Sequence, residues 1–216
     1  YFKEYAKKYF IDLGLPIERL RFHDHEKLAH YAKEACDIEY LFPFGWGEIN
    51  GTHNRTDYDL KRHQEYSGKS MEYLDVPYII ESTIGPDRTV LAVLCEAYTE
   101  EKINDDDTRI VLKLSPILSP YKVAILPLTK KQAEKSKEIL EILSKEFMCT
   151  YDESGTIGKR YRRQDEIGTP YCITIDYDTE TDNCVTIRNR DTMEQDRINI
   201  SEIKNYINIQ MDKFKI

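Results

Sequence analysis

The twenty-two residues from Pro77 to Tyr98, PYIIESTIGPDRTVLAVLCEAY, restrict the fold of this chain more than any other stretch. A β-branched run closed by Glu81-Ser82-Thr83, then Gly85-Pro86, then an apolar helical pattern predicts strand, turn and helix. Pro86 suits a first helical turn, where a missing N–H costs nothing, and Asp87 suits the positive end of the helix dipole. Arg88 opposes that dipole, so it needs another reason to be there. A polyanionic ligand is one; a neighbouring carboxylate is the other.

A chain of 216 residues, 40% hydrophobic, can bury a sizeable core and is expected to form two domains. Charged residues make up 32% and the formal net charge is −8, as in a soluble globular protein, and no apolar run of about eighteen residues exists to cross a membrane as a helix. The opening Tyr1-Phe2-Lys3-Glu4-Tyr5 has neither Met nor a basic-then-apolar leader, so no secretory signal is expected and the chain reads as a piece of something longer. Five scattered cysteines without a Cys-x-x-Cys pair fit free thiols in a reducing cytoplasm. Charge is uneven: residues 1–114 carry a net −7 and residues 115–216 a net −1. Within the second part, Lys159-Arg160-Tyr161-Arg162-Arg163 concentrates four cations, a local patch suited to phosphate.

Along the first part, Phe2 to about Leu13 reads as a helix stopped by Gly14, and Leu20-Arg21-Phe22 as a short extended piece. Asp24 to Cys36 is expected to be helical, with Asp24 as cap and Leu28, Tyr31, Ala32 and Ala35 as its buried stripe. His23, His25 and His30 invite a metal-site reading, but residues two apart share no helix face and no further ligand completes a set. Ile38 to Gly51 reads as two strands broken by Pro43 and Gly45, in which Glu48 alternates onto the face of Trp46. His53 to Gln64 reads as a loop entering a helix capped by Thr56 or Asp57, with Arg55 available to pair with carboxylates.

These segments together resemble glycyl-tRNA synthetases of the homodimeric type, within the class II aminoacyl-tRNA synthetases. Pro77–Tyr98 resembles motif 3 of the class. Leu20-Arg21 through His25 to Leu28-Ala29-His30-Tyr31-Ala32, Phe44-Gly45-Trp46-Gly47-Glu48-Ile49 and Arg55-Thr56-Asp57-Tyr58-Asp59-Leu60 are similar to family patterns. The resemblance implies that Arg88 grips the terminal phosphates of ATP, helped by magnesium. It implies that Glu48 and Glu81 bind the glycine ammonium, with Glu81 also at the ATP site, and that Thr83 abuts the substrate α-carbon. Arg55 lines one wall. Glu81-Ser82-Thr83 departs from the family's Glu-Pro-Ser, keeping the hydroxyl, adding a methyl and losing a proline. No metal ligands are assigned. Motifs 1 and 2 are not in these residues, so the chain alone is expected not to form adenylate.

Thr99 to Thr108 is expected to be a loop, with Asp105, Asp106 and Asp107 solvated rather than cation-binding. Arg109 to Leu114 reads as a strand and Ser115 to Pro120 as the linker, which places the domain boundary at 114/115. Beyond it, strand Val123–Leu128, an amphipathic helix from Lys131 to Phe147, strand Cys149–Tyr151, helix Ile157–Glu166, a paired Tyr171–Asp176 and Cys184–Arg188, and a last helix capped by Ser201 are expected. This order resembles the anticodon-binding domain of glycyl, histidyl, prolyl and threonyl enzymes, a mixed five-stranded α/β domain. The first part then corresponds to the end of an antiparallel-sheet catalytic domain, and the whole is α/β (α+β).

Arg160, Arg163, Arg188 and Arg190 are candidates by charge for reading the anticodon, with pairing to Asp165, Glu166 or Asp191 as the competing role. The implied activity is ligation of glycine to tRNA(Gly) at the expense of ATP, in a cytoplasmic homodimer. A non-catalytic tRNA-binding or regulatory relative is the alternative. A nucleotide-binding protein unrelated to tRNA is disfavoured by the lack of a Gly-rich phosphate loop.

Overall fold

The computed structural model describes residues 1–214. The chain packs as two units, Tyr1–Cys95 and Glu96–Ile216. The division falls before the Ser115–Pro120 linker, so the hairpin preceding that linker packs with the second unit.

The first unit opens with helix α1 (Phe2–Asp12), followed by strands β1 (Leu20–Asp24), β2 (Glu34–Phe42) and β3 (Gly45–Asn54), helix α2 (Tyr58–Ser67) and strand β4 (Ile80–Ile84). The strands form one antiparallel sheet in the order β1-β2-β3-β4. One face is apolar: Cys36, Ile38, Tyr40 and Phe42 alternate along β2 and are buried with Phe10 of α1. Helix α3 (Pro86–Ala97) follows β4 through Gly85, with Pro86 and Asp87 in its first turn as expected.

Residues 25–33 are not helical. The amide of His25 donates to Ala35 O at 3.0 Å and that of Lys33 to Asn54 O at 2.8 Å, so the backbone continues the sheet's bonding at both ends, with a single turn between them in which Ala32 N donates to Ala29 O at 2.9 Å. The anticipated stripe is not a buried one: Leu28 is 41% exposed, and Tyr31, Ala32 and Ala35 are only half-buried. Helix α2 starts after Asp57 without a side-chain cap bond.

The second unit begins with a hairpin, β5 (Tyr98–Asn104) and β6 (Asp107–Leu112), where a loop was expected up to Thr108. Asp105 and Asp106 form its turn. There follow β7 (Val123–Pro127), α4 (Ala133–Leu143), β8 (Cys149–Tyr151), α5 (Ile157–Glu166), β9 (Tyr171–Ile175), the short α6 (Thr179–Asp182), β10 (Cys184–Asn189), β11 (Gln195–Asn199) and α7 (Ile203–Asp212). The sheet is mixed and five-stranded, ordered β11-β10-β9-β7-β8, with β7 parallel to β8 and β9. Central strands β7 and β9 are buried along their whole length, as continuous apolar runs demand. One core joins Val123, Ile125, Ile173 and Ile187 to Ile139 and Leu143 of α4 and Ile203 and Ile207 of α7. A smaller one seats Ile157 and Tyr161 of α5 on Ala124, Leu126 and Cys172. A short 3-10 turn, Ile200–Glu202, leads into the last helix; Asn199 caps that turn, its side chain accepting from the Ser201 amide at 3.0 Å, and the helix itself starts after Glu202 without a side-chain cap bond, so Ser201 is not its cap.

Candidate active site

The polar face of the first sheet carries the candidate residues, and a bulge decides which. Ile38 pairs with Asn50 but Glu39 pairs with Glu48, leaving Ile49 as an extra residue in β3. Side chains alternate strictly, so without it Glu48 and Gly51 would face opposite ways. With it, Trp46, Glu48, Gly51 and His53 share one face. Pairing extends that face to Asp37 and Glu39 on β2, Arg21 and His23 on β1, and Glu81 and Thr83 on β4.

On this face charges are distributed unevenly. Glu39 accepts from Arg21 at 2.6 Å and meets His23 Nδ1 at 3.0 Å. Burial pushes the Glu39 pKa up, but these two partners outweigh it and hold the carboxyl below its ordinary value. The same contact raises the pKa of His23. Arg21 also covers the Trp46 ring, 4.3 Å from its centroid.

Glu81 accepts from Arg55 at 2.6 Å, and His53 Nδ1 lies 3.9 Å from it. Arg55 simultaneously grips Asp59 through Nε and Nη2, at 2.6 and 3.0 Å, and stacks over Tyr31 at 4.1 Å. Arg55 thus holds the β4 carboxylate from the loop before α2, as its sequence position suggested. The Arg55 bonds hold the Asp59 carboxyl below its ordinary pKa.

Arg88, in the first turn of α3, donates to the backbone carbonyl of Glu48 at 3.0 Å, and its guanidinium stands 3.8 Å from the Glu48 carboxylate. Both side chains remain half exposed, at 59% and 49%. A carboxylate is near Arg88, but at a distance that leaves most of the guanidinium's donors open. Glu48, Thr83 and Arg88 line one cleft at the α3 N-terminus. Glu48 also borders a second hollow with His23, His25, Asp37 and Glu39. Glu81 shares the face of Thr83 without being a wall of either.

Two neighbours carried no signal in the sequence. Asp37 is 8% exposed, and His25 Nε2 lies 2.7 Å from its Oδ2. His53 lies between Glu81 and the strand over Gly51.

The second-unit arginines are mostly internal. Arg160 is 5% exposed and donates to the carbonyls of Pro127 and Gly155. Arg188 is bidentate to Asp165 at 2.8 and 3.0 Å. Arg190, 2% exposed, binds the carbonyls of Gly168 and Leu114, both at 2.8 Å, and the Asp191 carboxylate. Arg163 reaches Asp152 at 2.6 Å but keeps 43% of its side chain exposed. Arg162 pairs with Asp107. The run of cations at 159–163 is therefore spread around α5 and into ion pairs, not gathered into one patch.

An anticodon binding domain family model matches residues 122–209, the span from just before β7 into α7. Glycine–tRNA ligases from Clostridium beijerinckii and Clostridium tetani are 56% and 55% identical to the chain over 98% of it, and that from Alkaliphilus oremlandii is 54% identical over 96%. Over nearly its whole length the chain is homologous to glycine–tRNA ligases. It spans about half the length of these curated relatives, 47–48%. A solved prolyl-tRNA synthetase from Cryptosporidium parvum, complexed with L-proline and AMP, matches 98% of this chain and 45% of its own with a TM-score of 0.66 at 19% identity, a likeness of fold. The mixed α/β architecture expected from the sequence agrees with this likeness of fold.

Proposed function

We propose that this chain is the part of a glycine–tRNA ligase that holds the amino-acid pocket and the anticodon-binding domain. The observation that carries the reading is the common sheet face of Glu48, Glu81 and Thr83, with Arg88 bonded to the Glu48 backbone. Glycine offers no side chain to grasp, so its ammonium must be anchored and the space of a Cβ denied; affinity for one methylene alone is worth only about 1–3 kcal/mol. Glu48 and Glu81 supply the anchoring charge, and the Thr83 hydroxyl and methyl close the α-carbon side. Arg88, with free donors at the mouth of the cleft, takes the terminal phosphates of ATP.

No covalent intermediate on the protein is required. The glycine carboxylate attacks the α-phosphate and pyrophosphate leaves; a terminal ribose hydroxyl of tRNA(Gly) then attacks the glycyl carbonyl and AMP leaves. What the residues contribute is alignment and charge neutralisation. Among the described residues no group of three or more His, Cys, Asp or Glu side chains is arranged to hold a metal ion. Magnesium bound with the nucleotide would neutralise phosphate charge.

The family match over 122–209 supports tRNA binding by the second unit. In this reading Arg163 is the arginine available to the anticodon, while Arg160, Arg188 and Arg190 keep its frame. A cytoplasmic homodimer is part of the same proposal. Among the described residues no helix is long and apolar enough to cross a membrane.

The test is pyrophosphate exchange by a protein spanning the full length of the relatives and containing this chain, across the twenty amino acids. Glycine alone should support exchange; equal activation of alanine or serine would defeat the pocket assignment. The chain by itself should show no exchange, and detectable glycine-dependent exchange would contradict that. Exchange of the tRNA anticodon should weaken binding more than changes to the acceptor stem.

A further inference from the structure

Gly51 pairs with Asp37 on one side and Thr83 on the other, in the middle of the polar face. A Cβ built there would lie 3.2 Å from Thr83 Oγ1, 3.2 Å from His53 Nε2 and 3.4 Å from Asp37 Oδ1. Three polar side chains from three strands thus close over β3 at a place where it has no side chain. The Thr83 hydroxyl settles back against the strand, 3.4 Å from the Gly51 carbonyl. Two of the converging groups also form cleft walls with Glu48: Asp37 in one hollow and Thr83 in the other.

We infer that Gly51 determines specificity in the pocket: its missing Cβ is the space that lets Thr83 sit low, so that the pocket is shallow enough to refuse a larger amino acid and still deep enough to admit glycine. Asp37 is a positioning residue of the same device, fixed at Oδ2 by His25 and presenting Oδ1 to the hollow over Gly51. The inference rests on the functional reading above, in which Thr83 meets the substrate α-carbon. Strands tolerate glycine poorly and usually carry it where another group approaches the backbone closely, which is the situation here. A contact at 3.2 Å is tighter than a Cβ normally makes, so alanine at 51 forces Thr83 and His53 outward by a few tenths of an ångström. Outward is toward the substrate.

The experiment uses the full-length protein and four forms: unmodified, Gly51→Ala, Thr83→Ser, and both together. Misplacement of a positioning group by a fraction of an ångström is expected to raise KM for glycine about tenfold in Gly51→Ala while leaving KM for ATP and the melting temperature near those of the unmodified protein. Adding Thr83→Ser removes the methyl that is driven into the pocket and should bring KM for glycine back to within about threefold of the Thr83→Ser value, a rescue that general damage would not show. Asp37→Asn should raise KM for glycine and not for ATP. A Gly51→Ala protein that loses kcat with both KM values unchanged, or whose defect Thr83→Ser does not relieve, overturns the inference. Absence of any glycine-dependent exchange in the unmodified protein defeats the functional reading itself, and this inference with it.

Discussion

Asp165 has no exposed surface and accepts from two arginines, Arg188 at 2.8 and 3.0 Å and Arg109 at 3.3 Å. Arg109, itself 1% exposed, is also held by Glu101 and by the Arg190 carbonyl at 2.9 Å. Removing one member of a buried ionic set leaves the others charged and unpaired, which costs about 3–5 kcal/mol. Asp165→Asn should therefore lower the unfolding free energy by roughly that amount in a urea titration; a loss below about 1 kcal/mol would mean that water reaches the arginines. Burial likewise isolates Cys172, whose thiol is pushed up to about 12. At pH 8 it should stay unmodified by a disulfide exchange reagent in the native chain and react on denaturation, because the thiolate is the nucleophile. Native-state modification of Cys172 at the rate of a free thiol would contradict its placement.

At the scale of elements, the linker is folded by one cation. The ammonium of Lys122 donates to the carbonyls of Pro116, Ile117 and Ser119 at 3.0, 2.7 and 2.8 Å, and burial lowers its pKa. Lys122→Met should cost about 1–3 kcal/mol, seen as a lower melting temperature, since three carbonyls lose their donor. An unchanged melting temperature would show that solvent satisfies them equally well. What could be read in advance follows from whether the deciding force is local. Pro77–Tyr98 announces its strand, turn and helix because proline, glycine and apolar spacing act within a few residues. Asp24–Cys36 misleads because its helical spacing loses to backbone bonds with Ala35 and Asn54, and only the second of these comes from outside the segment. Strand β5 is masked by Thr99-Glu100-Glu101-Lys102; its partner β6 brings Arg109 to Glu101, a pairing invisible until the hairpin closes. The face of Glu48 depends on the extra residue Ile49, which has no residue signature. Glu48 and Glu81 were legible as candidates, but their common face, and Asp37 with it, is a product of register.

Across the whole chain, the unit boundary is a quantitative matter. The hairpin β5–β6 supplies Arg109 to Asp165, and Leu112 O lies 2.9 Å from where a Cβ on Gly168 would be, so that turn, with its φ of +81°, is closed by the hairpin's end. A polypeptide of residues 96–216 should unfold cooperatively and be more stable than one of residues 115–216 by about 3 kcal/mol or more, since the shorter form leaves Asp165 with one arginine fewer. Equal stability would put the boundary at the linker after all.

The central claim concerns charge around the smallest amino acid, and steady-state exchange kinetics of the full-length protein with Glu48→Gln, Glu81→Gln and Arg88→Gln address it directly. Each carboxylate replacement should raise KM for glycine about 10²-fold, with KM for ATP little changed in Glu48→Gln, because a charge-assisted contact is worth about 1.5–3 kcal/mol. Arg88→Gln should do the reverse, raising KM for ATP. Glycine KM values that do not move in either carboxylate variant would contradict the account.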